Sequence, residues 1–228
     1  ASAQFDVANA KAWSPEQPHL YTLEINLYRG NKLVDRLRQR VGIRTIAVSK
    51  EHGFQLNGVS RKFKGVCLHH DLGPLGAAVN KAAIIRQIRL MKDMGVDAIR
   101  TSHNMPSQMQ MEVCDSMGMM VMAESFDAWK EAKVKNGYNL FYDAWWRKDL
   151  ENLIRGHRNH PAIVMWSIGN EIPEQWSEEG RQIAKRLQAI CHRLDPSRPV
   201  TQGMDQAGAA LKSGFAQVMD VPGFNYRV

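Results

Sequence analysis

The stretch that decides the fold is Asn159-His160-Pro161-Ala162-Ile163-Val164-Met165-Trp166-Ser167-Ile168-Gly169-Asn170-Glu171. From Ala162 to Ile168 it is nearly all apolar and too short for a helix of ordinary length. That suits a parallel strand buried on both faces. The strand ends on an amide and a carboxylate, Asn170 and Glu171. Working outward, a strand, loop, helix rhythm repeats on both sides. Upstream, Phe63–Leu68 is predicted as a strand, followed by a helix that Asn80 caps, that carries Ile84, Ile88 and Met91, and that Gly95 closes. Val96–Arg100 is the second strand. Ser107 caps the next helix, which ends near Met117 with Gly118 as its C′ residue. Met119–Ala123 is the third strand, and Tyr142–Arg158 is an amphipathic helix with Leu150, Leu153 and Ile154 on one side. Downstream, Glu178–Leu194 is a helix stopped by Pro196. Pro199–Gln202 and Val218–Phe224 are the fifth and sixth strands.

Six strands joined by helical crossovers imply a parallel sheet, either doubly wound or a (β/α)8 TIM barrel. No GxGxxG or GxxxxGK[ST] follows the first strand, which weighs against the nucleotide-binding versions. Polar residues at the strand ends favour the barrel. His69, His70 and Asp71 follow the first strand, and Arg100, Ser102, His103 and Asn104 lie at and after the second. Glu124 and Asp127 follow the third, Asn170 and Glu171 the fourth, Asn225 and Tyr226 the sixth. In a barrel those ends converge on one face, where active sites are built. The expected fold is therefore an incomplete barrel of about six strands over residues 49–228.

Residues 1–48 have a different rhythm. His19–Tyr28 alternates with period two, Arg29-Gly30-Asn31-Lys32 is a hairpin turn, and Leu33–Val41 and Ile43–Val48 continue as strands of an antiparallel meander. This is too little for a sandwich, which needs about seven strands and ~100 residues. The reading is the C-terminal part of an immunoglobulin-like β-sandwich, with both ends of the chain truncated.

Composition is that of a globular chain: 228 residues, 44% hydrophobic and 23% charged. The net charge is +7, but the basic residues are scattered, so no nucleic-acid partner is expected. No apolar run approaches the ~18 residues that span a bilayer, so no membrane partner is expected either. ASAQFDVANA lacks the features of a signal peptide, which leaves the compartment unknown; a full-length protein that is periplasmic or secreted is compatible with it. Three cysteines at long spacings, Cys67, Cys114 and Cys191, suggest buried free thiols rather than disulfides or zinc.

A carboxyl at a barrel mouth is partly desolvated, and desolvation raises its pKa. A carboxyl kept protonated near neutrality can protonate a glycosidic oxygen. The bland alternative is that Glu171 caps the following turn.

At this point a resemblance becomes specific. NHPAIVMWSIGNE looks like the acid/base signature of glycoside hydrolase family 2. FKGVCLHHDLGPLG, VDAIRTSHNMP and GMMVMAESFDAW resemble its first-, second- and third-strand segments, in order. FDAW, the WW helix and SIGNEIPE look most like β-galactosidase-type members, while β-glucuronidases and β-mannosidases share the frame. The resemblance implies a retaining exo-β-glycosidase on a carbohydrate substrate. In it Glu171 is the catalytic acid/base and Asn170 a sugar-contacting amide. Asp71, Arg100, His103, Asn104 and Tyr226 take the substrate-binding positions, with Arg100 usually holding the nucleophile ionised. The nucleophile itself, a glutamate on the seventh strand, has no counterpart before Val228, so the chain is expected to be inactive alone.

Other readings stay open. A sugar-binding module would keep Asp71, His103 and Asn170 but not need a tuned Glu171. A metal-dependent hydrolase would use His69, His103 and Glu124. Some relatives place magnesium near the acid/base, but no ligand set matches here, and no metal or other cofactor is expected. Asp71 is the best stand-in for a second carboxylate. His157 and His160 are read as structural. Trp129 and Trp176 are candidates for stacking on sugar, whereas Trp145, Trp146 and Trp166 are read as packing, as are the methionines between Met105 and Met122. An open barrel would expose strand edges, so a homo-oligomer is compatible with the sequence.

Overall fold

A computed structural model describes Gln4 and residues 6–227. The stretch read for a leader lies partly outside them, as does Val228. The N-terminal part is a hairpin of β1 (Tyr21–Arg29) and β2 (Lys32–Val41), turned at Gly30, whose φ is +57°. Ile25 faces Leu37 across it, and both, with Leu27, are exposed. The expected meander stops there. β3 (Ile46–Ser49) pairs with β4 (Gly53–Leu56), which pairs with β5 (Val59–Ser60), in a separate antiparallel sheet. The physical reason is Arg44: its guanidinium leaves the hairpin and donates to the carbonyls of Pro161 (2.6 Å) and Ile163 (2.5 Å). A β-carbon on Gly42 would come within 2.6 Å of Pro161, so only glycine permits that approach.

The main sheet holds β6 (Gly65–His69), β7 (Ala98–Ser102), β8 (Met120–Glu124), β9 (Ile163–Asn170), β10 (Val200–Met204) and β11 (Val221–Phe224). All neighbours are parallel and their spatial order is their sequence order. A doubly wound sheet would reverse direction at a switch point. A sheet that winds one way is a barrel opened along one side. The crossovers carry α1 (Lys81–Asp93), α2 (Gln108–Met117), α3 (Tyr142–His157), α4 (Glu178–Leu194) and α5 (Ala207–Lys212). α5, six residues long, has no periodic signal in the sequence and was not expected.

Local chemistry explains the helix ends. Asn80 and Ser107 accept from the backbone N–H groups of Ala83 and Gln110, as side-chain N-caps do. Gly118 sits in the left-handed conformation at the end of α2. Every residue of β9 is buried, and the core runs from Ile88, Met111 and Val121 through Trp166 to Leu187 and Phe215.

The foot of β9 is a polar anchor. Arg198 donates to the Ile163 and His160 carbonyls and pairs with Asp195, and Asp115 accepts from the backbone N–H of Ala162 and bonds His160 Nδ1 at 2.5 Å. Burial, with Arg198 nearby, pushes the Arg44 guanidinium down to about 9. The strand that carries Asn170 and Glu171 at its top is thus held at its base by buried charge.

Four side-chain expectations need correction, the first being Met105, read as packing but 46% exposed on the loop after β7. Cys67 is exposed, unlike Cys114 and Cys191, because β6 lies at the edge of the sheet. Trp129 is fully buried and donates to the Ile168 carbonyl (2.9 Å), so it offers no face to a sugar. Trp145 is 48% exposed, with Lys148 above its ring, because it faces outward from α3.

Candidate active site

The C-terminal ends of β7, β8, β9 and β11 bring one hydrogen-bonded cluster together. Its centre is Glu124, with no exposed surface. Glu124 Oε2 accepts from Arg100 Nε (2.7 Å) and from the Ser167 hydroxyl (2.5 Å), with the Arg100 Nη2 charge 2.6 Å away, while Oε1 meets His103 Nδ1 at 2.6 Å. A buried carboxylate is tolerable only with such compensation. Arg100 Nη2 also donates to Asn170 Oδ1 (2.9 Å). Gly203 makes room, since a β-carbon there would lie 2.8 Å from Nη2.

Asn170 Oδ1 accepts a second bond from Asn225 Nδ2 (3.2 Å), and the same nitrogen donates to Glu171 Oε1 (2.7 Å). Glu171 has a φ of +44°, left-handed and unfavourable for a residue with a β-carbon, and its N–H donates to the Gly203 carbonyl at 2.7 Å. The strained turn directs its carboxylate toward Asn225 and Tyr226. Hydrogen bonding to that carboxylate raises the Tyr226 hydroxyl above the ordinary tyrosine range, so the phenol keeps its proton.

Arg100, His103, Asn170 and Glu171 are therefore brought into one network, with Tyr226, 80% exposed, at its edge near Glu171. Two expected site residues stand apart from it. The Asp71 carboxylate accepts from the backbone N–H of Gly73 in an exposed loop, and Asn104 is exposed, its N–H directed at the Thr101 carbonyl. Trp176 is 60% exposed on the loop after β9. His160 serves the foot of β9 and not the site.

Sequence reasoning misses Ser167 and Lys133, and it places Glu124, Asp127 and Asn225 at the strand ends without giving them a role in the glycosidase site. The signal for Glu124 was present: it closes the apolar run of β8 as Glu171 follows that of β9. Among the described residues, no three His, Cys, Asp or Glu side chains are arranged to hold a metal ion. The trio His69, His103 and Glu124 is used otherwise, with both Glu124 oxygens engaged and the His69 ring edge-on to His103 at 5.2 Å.

Comparison with known proteins fits this geometry. Residues 46–220 match the family described as "Glycosyl hydrolases family 2, TIM barrel domain", and residues 1–44 match "Glycosyl hydrolases family 2". The chain belongs to that family. It is 38% identical to the beta-galactosidase BoGH2A of Bacteroides ovatus, over 98% of this chain and 30% of that protein. To a beta-glucuronidase of Felis catus it is 33% identical, over 87% of this chain and 31% of the cat protein. A crystal structure of a glycosyl hydrolase family 2 member from Bacteroides cellulosilyticus superposes with a TM-score of 0.91 at 41% identity, covering 95% of this chain and 28% of that one. The chain thus spans less than a third of the length of these relatives.

Proposed function

We propose that this family 2 chain supplies the acid/base half of a retaining exo-β-glycosidase acting on terminal β-galactosides. The observation that carries the reading is Glu171, held in a left-handed turn at the top of the buried strand β9 and hydrogen-bonded by Asn225. In the first step Glu171 gives its proton to the glycosidic oxygen as the anomeric C–O bond breaks and a carboxylate attacks the anomeric carbon. In the second, Glu171 takes a proton from water, whose oxygen displaces that carboxylate.

Glu124 and Glu174 are not free to attack, and Asp127 Oδ1 is already taken by Lys133 and Asn170. Glu124 has both oxygens engaged, and Glu174 is buried, with Oε1 accepting from the Glu131 N–H. The nucleophile is proposed to come from outside residues 1–228. The division at residues 48 and 49 between a sandwich remnant and the barrel is part of the same proposal. The β-glucuronidase relative keeps a second substrate, a β-glucuronide, in view.

The test replaces the absent carboxylate with azide. The folded chain is incubated with phenyl β-galactoside, β-glucuronide or β-mannoside and sodium azide. Azide bonds to the anomeric carbon, the C–O bond breaks, and the Glu171 proton goes to the phenoxide, giving an α-glycosyl azide and phenol. The expected result is α-galactosyl azide from the wild-type chain and none from Glu171→Gln. No azide product from any of the three sugars, with the chain folded, would contradict the reading.

A further inference from the structure

We infer that Asp127 and Lys133, on the loop between β8 and α3, are positioning residues that fix which way the Asn170 amide points and, through it, seat Asn225 against Glu171. The inference rests on Glu171 being the acid/base. Lys133 Nζ donates to three oxygens: Asp127 Oδ1 (2.8 Å), the Asp127 carbonyl (3.1 Å) and the Asn170 carbonyl (3.1 Å). One ammonium thereby ties the loop to the last residue of β9.

Asp127 Oδ1 also accepts from Asn170 Nδ2 (3.1 Å). The opposite end of that amide, Oδ1, accepts from Arg100 and Asn225. Only one orientation satisfies these partners. A flipped amide would set its NH2 against the Arg100 and Asn225 donors and its oxygen against the Asp127 carboxylate, losing all three bonds. With Asn170 only 3% exposed, water has little access to replace them. Asn225 Nδ2 bridges Asn170 Oδ1 and Glu171 Oε1, so an amide turned the wrong way removes the acceptor that places Asn225.

Two further observations support the assignment. Asp127 stays ionised: burial would raise its pKa, but the bonds from Lys133 and Asn170 more than offset that and hold it below the usual carboxylate range. The loop is also latched from the other side, where buried Glu174 accepts from the Glu131 N–H and Lys130 pairs with Glu179. The Asp127 side chain is 45% exposed and that of Lys133 21%, so the pair lies at the rim and not in the core.

The experiment uses Asp127→Asn, Lys133→Met and Lys133→Arg in the 228-residue chain, with two readouts. The first is the side-chain amide NMR signal of Asn170. It should be a single hydrogen-bonded conformer in the wild type and Lys133→Arg, and become averaged or doubled in Asp127→Asn and Lys133→Met. The second is azide trapping with a phenyl and a dinitrophenyl galactoside, of which only the phenyl one needs a strong acid. A displaced acid should slow the phenyl substrate by about tenfold to a hundredfold and leave the dinitrophenyl one nearly unchanged. Lys133→Arg should restore the rate.

A loss of structure would slow both substrates alike, and that result, or an unchanged Asn170 signal in both disabling variants, overturns the inference. Should Glu171→Gln itself show no leaving-group dependence, the acid/base reading fails first, and the amide signal still decides whether the pair orients Asn170.

Discussion

Replacing Glu124 with glutamine should be among the most damaging single changes to this chain. The substitution keeps shape and removes charge. It leaves Arg100, whose side chain is only 13% exposed, with no counter-charge, and turns an NH2 group toward some of the three donors now satisfied by the carboxylate. Breaking a buried ion pair from one side costs about 3–5 kcal/mol. The lower end applies, because Arg100 keeps Asn170 Oδ1 as an acceptor. For a chain of this size about 3 kcal/mol corresponds to a Tm lower by about 6–12 °C. Scanning calorimetry of wild type and Glu124→Gln reads this directly. Glu179→Gln, which breaks the exposed pair with Lys130, serves as a control and should match the wild type. Adding Arg100→Met to Glu124→Gln should cost much less than the two losses summed. A Tm change under ~2 °C, or strict additivity, would refute the claim that this pair anchors the strand ends.

Gly118→Ala should lower stability by more than the ~1–2 kcal/mol of a left-handed residue, since its β-carbon would lie 2.3 Å from the Pro15 carbonyl oxygen, whereas Gly156→Ala in α3, with nothing within 4 Å, should raise it by about 0.4–1 kcal/mol in urea melts. Burial holds His157 down to about 4, below its unfolded value of ~6.5, so the unfolded chain binds the extra proton between these values. Stability should therefore fall as pH drops through that window, and a His157→Gln melt series should show a shallower fall. Cys67 should react with a thiol reagent in the native chain, while Cys114 and Cys191, whose thiols burial pushes up, should react only after unfolding, as a timed titration would show.

The barrel portion was legible in the sequence because its signals are local. The all-apolar β9, the caps Asn80 and Ser107 and the left-handed Gly118 each follow from side-chain chemistry within a few residues. The route of Ile43–Thr45 was not legible. Arg44 abandons the hairpin for carbonyls 117 and 119 residues away, a contact no local pattern encodes. Trp129 fails for a related reason: loop position suggested exposure, but its indole N–H finds the Ile168 carbonyl, and that long-range bond buries it. At the site, Asn170 and Glu171 were readable because they end and follow a buried strand, whereas Arg100, expected at a strand end, lies in the middle of β7. Asp127 was readable only as a strand-end acid and Lys133 not at all, because a charged loop reads as a solvated surface until its partner, the top of β9, is in place.

The central claim is that the Glu171 proton goes to the departing oxygen. The most direct measurement is the rate of azide trapping for phenyl and dinitrophenyl galactosides in wild type and Glu171→Gln. The account predicts that the variant loses the phenyl substrate while retaining most of the dinitrophenyl rate, since a good leaving group needs no acid. Equal loss on both substrates, or no loss on either, would contradict it.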